Sequence, residues 1–183
     1  MKGYLIVVDM QKDFVDGALG TSEAVGIVDS VVEKIQGWQG PIIVTRDSHE
    51  ENYLDTREGK YLPVKHCIVN TDGWQIDAKV QKALDQKENV TYVNKPTFGC
   101  VKLADMIGEM QGYAKEEYAT VNDMEIELVG LCTDICVVSN AMLLKAEFPE
   151  VNISVDAACC AGVTPESHNA ALTTMKFCQI NIL

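Results

Sequence analysis

Short, unbroken apolar runs alternate along the chain with stretches whose apolar residues recur every three or four positions. Tyr4-Leu5-Ile6-Val7-Val8 and Pro41-Ile42-Ile43-Val44-Thr45 are the clearest runs, and such continuity marks a strand buried on both faces. Residues 90–94, 123–129 and 151–155 read as three more strands, and 179–183 as a short last one. Glu23 to Gln36 carries Val28, Val31, Val32 and Ile35 at helical spacing, and Gly37 and Gly40 end it. Further helices are predicted over 76–84, over 97–110 with Val101, Leu103, Met106 and Ile107 inward, and over 134–147. Thr164-Pro165-Glu166 combines a cap, a proline at the first position and an acid in the first turn, which starts a helix reaching about Phe177. Residues 50–75 show no period and are expected to form a long functional loop. Strands alternating with helices give a parallel sheet covered on both faces. The expected fold is therefore a single α/β doubly wound (Rossmann-like) domain over residues 1–183.

Composition narrows the function classes. A chain of 183 residues suffices for one well-buried core and is short for two. The formal net charge of −12 opposes nucleic acid or an anionic membrane as the principal partner. No run of about 18 apolar residues suggests a membrane span, and Met1–Val8 is too short and too soon interrupted by Asp9 for a signal peptide. Seven cysteines, an odd number beside an ordinary core, point to small buried residues plus one reactive thiol in a reducing, cytoplasmic setting.

Polar residues gather where the strands end. Asp9, Asp47 with His49, Lys95 and Cys136 each fall at the carboxyl end of a strand, the edge where doubly wound proteins keep their chemistry. Gly130 marks one strand end and Thr133 or Asp134 can cap the next helix. Cys136 then lands in its first turn, outside the core, where free N–H groups and the helix dipole favour a thiolate. Each residue alone has an ordinary explanation, since aspartate often ends a strand by capping a turn and lysine is usually solvated. Together they have a coherent chemistry: the carboxylate takes the thiol proton, and the ammonium stabilises both anions. Cys132 and Cys136 also have the spacing of helical metal ligands or of a disulfide, but no second Cys/His pair stands nearby to complete a metal site. Asp47-Ser48-His49, with His66 from the following loop, can supply N/O ligands to Zn²⁺, Mn²⁺ or Fe²⁺. Ordinary loop polarity is the plainer explanation, yet two of the three histidines fall in this one region.

Three segments, Val8-Asp9-Met10-Gln11-Lys12-Asp13-Phe14, Asn94-Lys95-Pro96-Thr97-Phe98 and Gly130-Leu131-Cys132-Thr133-Asp134-Ile135-Cys136-Val137, resemble in order the isochorismatase-like cysteine hydrolases. The resemblance covers nearly the whole chain. It implies a six-stranded parallel sheet of order 3-2-1-4-5-6 and homo-oligomers. It also implies an Asp9–Lys95–Cys136 triad that opens a carboxamide through an acyl-enzyme, releasing ammonia. A cis peptide at Leu131–Cys132 is implied too, aiming the backbone N–H groups of Cys132 and Cys136 at an oxyanion, so that Cys132 serves through its backbone.

Asp47-Ser48-His49 and the segment from Leu62 to Gly73 resemble the metal segments of the nicotinamidase branch. That implies a divalent metal, zinc first with manganese or iron as alternatives, on Asp47, His49 and His66, with Glu58 a fourth ligand in the manner of some relatives. The metal would anchor the pyridine nitrogen of nicotinamide while Cys136 attacks the amide. Phe14, Leu19, Phe98 and Leu131 are candidate walls of the ring pocket, with core packing as the competing explanation. His168 reads as a surface or packing residue, and Cys67, Cys100, Cys159, Cys160 and Cys178 as small core residues. The expected partner is a small-molecule amide, hydrolysed as nicotinamide to nicotinate and ammonia. The alternatives are another small-amide or N-carbamoyl hydrolase, or a catalytically idle binding subunit.

Overall fold

The computed structural model describes residues 2–183. Its strands are β1 (Lys2–Val8), β2 (Ile42–Asp47), β3 (Val90–Lys95), β4 (Met124–Leu131), β5 (Asn152–Ala161) and β6 (Asn181–Ile182). They form one sheet in the order β3-β2-β1-β4-β5-β6, the order that the resemblance implies. Every neighbouring pair is parallel. Helices α1 (Lys12–Val15), α2 (Ser22–Gly37), α3 (Arg57–Tyr61), α4 (Ala78–Leu84), α5 (Leu103–Gln111), α6 (Val138–Glu147) and α7 (Pro165–Phe177) join them. Among the described residues, no helix is long and apolar enough to cross a membrane.

The unbroken apolar run of β1 is explained by its two wet-free faces. Tyr4, Ile6 and Val8 pack with Leu103 and Ile107 of α5, Ala141 and Leu144 of α6, and Met175 of α7. Leu5 and Val7 point the other way, into a layer made by Val28, Val31 and Ile35 of α2 and Val80 and Leu84 of α4. Each of these fully buried side chains contributes about 1.5–3 kcal/mol relative to exposure, so β1 cannot be shifted by one residue without losing both layers. Side-chain caps start α2 and α7, the second as the sequence suggests. Thr21 accepts from the Ala24 N–H at 3.0 Å, and Thr164 from the Ser167 N–H at 3.1 Å with Pro165 following.

The structure departs from the expected elements in four places. The helix expected from residue 97 begins only at Leu103, because the Cys100 N–H is taken by the Asn140 side chain; Val101, expected inward, is 74% exposed. Strand β5 runs to Ala161, so Cys159 and Cys160 lie within the strand, carried there by a register irregularity opposite β4. A single wide π turn, Thr133–Val137, precedes α6 without a side-chain cap from Thr133 or Asp134. The loop over 50–75 contains a short 3-10 turn at Tyr53–Asp55 and helix α3.

Gly130, next to Val8 in the β1–β4 ladder, has φ +117°, and a β-carbon there would run into the Val8 carbonyl oxygen. Gly130→Ala is expected to cost more than about 2 kcal/mol of stability, measured by urea unfolding. A midpoint unchanged from wild type would show that the two backbones need no such close approach.

Candidate active site

Four strand ends converge on one buried cluster. Asp9 follows β1 in a left-handed conformation (φ +47°) and is fully buried. Its Oδ1 accepts the Thr45 hydroxyl at 2.6 Å and its Oδ2 lies 2.6 Å from Lys95 Nζ. Lys95, the last residue of β3, is only 1% exposed; its Nζ also sits 3.5 Å from Cys136 Sγ and 3.7 Å from Asp47 Oδ1. The structure thus brings Asp9, Lys95 and Cys136 together as expected from the sequence.

Cys136, placed outside the core by the sequence reading, is 4% exposed and part of the apolar cluster under α6. That burial corrects the expected thiolate. Desolvation first, and then the charge of Asp9, push the Cys136 thiol well above its ordinary value, with Lys95 pulling the other way. Burial likewise lifts Asp9 above the usual carboxylate range against the pull of Lys95. For Lys95 burial would favour the neutral amine, but Asp9, Cys136 and Asp47 reverse this and hold the ammonium charged. Cys136 Sγ thus stands beside the Asp9–Lys95 ion pair, with burial favouring its thiol form.

The Leu131–Cys132 peptide is cis, as the resemblance implies. The turn after it is tied down on its outer side. Thr133 Oγ1 and His168 Nδ1 are 2.8 Å apart, and the Asp134 carboxylate accepts the Val163 N–H with both oxygens at 3.2 Å. His168, expected to be a surface or packing residue, therefore has a specific polar partner. Cys67, Cys100, Cys159 and Cys160 are buried as expected, whereas Cys178 is half-exposed at the end of α7.

Asp47, His49, Glu58 and His66 form a second cluster whose donor atoms all lie within 4.8 Å of one another. His49 Nε2 is 2.9 Å from Asp47 Oδ2 and 3.5 Å from Glu58 Oε1; His66 Nε2 is 3.6 Å and 3.9 Å from the same two oxygens. A tetrahedral zinc site with ~2.1 Å bonds places its donors about 3.4 Å apart, and these separations bracket that value. His66 Nδ1 donates to the Val64 carbonyl at 2.9 Å, which turns its Nε2 toward the carboxylates. Burial would raise Asp47, but hydrogen bonds from His49 and His66 and the charge of Lys95 hold its carboxyl well below the usual range. The set fits a divalent cation such as zinc, and its N/O chemistry also suits manganese or iron.

Sequence reasoning missed the side chains that hold this cluster in place. Gln11 is buried and grips the strand end of Asp47 from both sides: its Oε1 accepts the Asp47 N–H at 2.7 Å and its Nε2 donates to the Asp47 carbonyl at 2.8 Å. Asp13 accepts the Cys67 N–H at 2.7 Å, next to His66. The His49 N–H donates to the Cys67 carbonyl and the Val69 N–H to the His49 carbonyl, which pins the two histidine segments together. Gln11 and Asp13 carry a signal in hindsight, polar residues two and four positions past a buried strand-end aspartate.

A cavity of about 150 Å³ opens between the two clusters, lined by Cys136, Asp47, Glu58 and His66 and walled by Phe14, Leu19, Leu62, Phe98, Leu131, Ile135 and Val163. All four residues expected to wall a ring pocket line it. Among the described residues, no lysine or arginine does.

The isochorismatase-domain family model matches residues 4–182. No curated protein sequence matches the chain. Among solved structures, the chain is similar to a nicotinamidase/pyrazinamidase from Bacillus subtilis, with 25% identity and a TM-score of 0.82 over 100% of this chain and 99% of that one. A pyrazinamidase from Pyrococcus horikoshii, determined in complex with zinc, has 27% identity and a TM-score of 0.78 over 100% and 99% of the two chains. The fold is shared also with N-carbamoylsarcosine amidase from Thermoplasma acidophilum, at 24% identity, a TM-score of 0.72, and coverage of 100% and 95%. With the family match running essentially from end to end, the chain belongs to the isochorismatase family of hydrolases.

Proposed function

We propose that the protein is a cysteine amidohydrolase of a small, uncharged aromatic carboxamide, nicotinamide being the substrate it fits best. The observation that carries this reading is the juxtaposition of the buried Asp9–Lys95–Cys136 cluster with a ring-sized apolar cavity that ends on Asp47, Glu58 and His66. A cavity near 150 Å³ takes a benzene-sized ring. Its lack of lysine and arginine leaves a substrate carboxylate without a partner, which disfavours N-carbamoyl amino acids. The names of the nicotinamidase and pyrazinamidase neighbours agree with this choice.

In this reading Asp9 accepts the Cys136 proton as sulfur attacks the carboxamide carbon. Lys95 stays charged beside both groups and stabilises the anion on each. The backbone N–H groups of Cys132 and Cys136 are the oxyanion donors that the resemblance implies, and such a donor commonly contributes about 10²–10³ in rate. Asp9 returns its proton to the departing amine, ammonia leaves, and a thioester remains on Cys136. Water then attacks the thioester carbonyl with Asp9 as base, which restores the thiol and frees the carboxylic acid. Asp47, His49, His66 and Glu58 would hold a divalent metal, which supplies a Lewis-acidic anchor for a ring nitrogen when bound. Phe14, Leu19, Phe98 and Leu131 would sandwich the ring.

Two measurements bear on this. Purified wild-type protein is expected to release ammonia from nicotinamide, and Cys136→Ala to be slower by more than about 10³-fold; comparable turnover by the variant would remove the covalent route. Activity confined to N-carbamoyl substrates would instead point to the N-carbamoyl alternative. Gln11→Ala is expected to weaken zinc binding by about 10–100-fold, read by calorimetric titration of the metal-stripped protein. Unchanged affinity would show that Asp47 holds its place without Gln11.

A further inference from the structure

We propose that Asn140 is a positioning residue for the chemistry assigned to Cys136. Its buried side chain fixes the separation between the turn that carries the thiol and the loop that follows Lys95. The proposal rests on the reading of Cys136 as nucleophile.

The sheet order creates the need. Lys95 ends β3 and Cys136 follows β4, and these two strands are separated by β2 and β1. No ladder joins them, so the 3.5 Å approach of Nζ to Sγ depends on contacts made beyond the strand ends. Asn140, on the first turns of α6, is fully buried and makes those contacts. Its Nδ2 donates to the carbonyl of Cys136 itself at 2.8 Å and to the carbonyl of Phe98 at 3.3 Å, while its Oδ1 accepts the Cys100 N–H at 2.8 Å. One amide thereby joins the backbone of the thiol residue to two points of the 95–100 loop, one of them the residue that walls the cavity.

The loop is built to sit against this helix. A β-carbon on Gly99 would lie 2.6 Å from Leu143 Cδ1 and 3.3 Å from Ser139 Cβ, so the chain passes close over the side chains of α6 at this point. Asparagine is also a poor helix former, and a buried amide is costly unless its donors and acceptors are met. A leucine would fill the same space without either penalty. The polar side chain is therefore explained by the three backbone groups it satisfies, and those groups belong to the two segments whose spacing the site requires.

The test compares wild type, Asn140→Ala, Asn140→Leu, Cys136→Ala and the control Leu144→Ala, which truncates a buried apolar residue on the same helix. Thermal unfolding, ammonia release from nicotinamide, and the rate of Cys136 modification by iodoacetamide, located by peptide mass, are measured for each variant that retains the relevant group. The Asn140 variants are expected to lower kcat by about 10–100-fold with KM changed by less than about threefold. They are also expected to change the modification rate of Cys136 by about tenfold. Leu144→Ala is expected to lose stability while keeping both rates within about twofold of wild type. Asn140→Leu preserves a filled core, so it reports on the amide if Asn140→Ala fails to fold. Asn140 variants whose kcat and modification rate match those of Leu144→Ala would overturn the proposal. Turnover that survives in Cys136→Ala would overturn the nucleophile reading instead. Absence of wild-type turnover would count against nicotinamide alone and leave the modification rate to decide the role of Asn140.

Discussion

A carboxylate and an ammonium held 2.6 Å apart, both out of water, constrain everything around them. Removing one partner of such a pair strands the other charge, at a cost of about 3–5 kcal/mol. The Asp9–Lys95 pair is accordingly surrounded by groups that share its load: the Thr45 hydroxyl on Asp9 and the Asp47 carboxylate beside Lys95. The partners come from β1 and β3, with β2 between them, so the pair bridges over a strand and ties the end of the sheet together. Its electrostatics and the neighbouring thiol's proton affinity are one coupled problem. Any change that weakens the pair alters the fold's edge and the chemistry proposed for Cys136 at once.

The segment from Asp9 to Asp13 shows how few residues can organise two clusters. Asp9 belongs to the first. Gln11, two positions on, holds the backbone of Asp47, and Asp13 holds the backbone beside His66. Gly73 packs so closely on the Asp13 carboxylate that a β-carbon there would have to displace it. The proposed metal ligands are thus set by hydrogen bonds from the same stretch that supplies the proposed base, and the relative placement of the two clusters is decided within five residues of chain.

The parallel sheet and the convergence of Asp9, Lys95 and Cys136 were legible because they rest on buried strands followed by polar residues, whereas the strand order came only through the family resemblance. Asp47, His49 and His66 were legible from their spacing and from the scarcity of histidine, and Glu58 only through the family resemblance. What escaped the sequence were features decided by tertiary partners. Residues 97–102 have an acceptable helical pattern, yet the Cys100 N–H goes to Asn140, and the loop follows that bond rather than its own period. Cys136 was expected outside the core, but tertiary packing buries it and desolvation raises its thiol. Asn140 was passed over for the same reason, and the polar partner of His168 with it. Their partners are distant in sequence, and nothing in the local pattern distinguishes a buried polar side chain from a solvated one.

Burial also bears on how the protein stands up to oxidants. None of the seven cysteines is in a disulfide. Desolvation pushes the thiols of Cys132 and Cys159 up to about 12, and those of Cys67, Cys160 and Cys136 are raised as well. Peroxide attack and thiol–disulfide exchange proceed through the thiolate. Burial of these five thiols therefore works against their oxidation, whereas Cys178 is half-exposed at the end of α7.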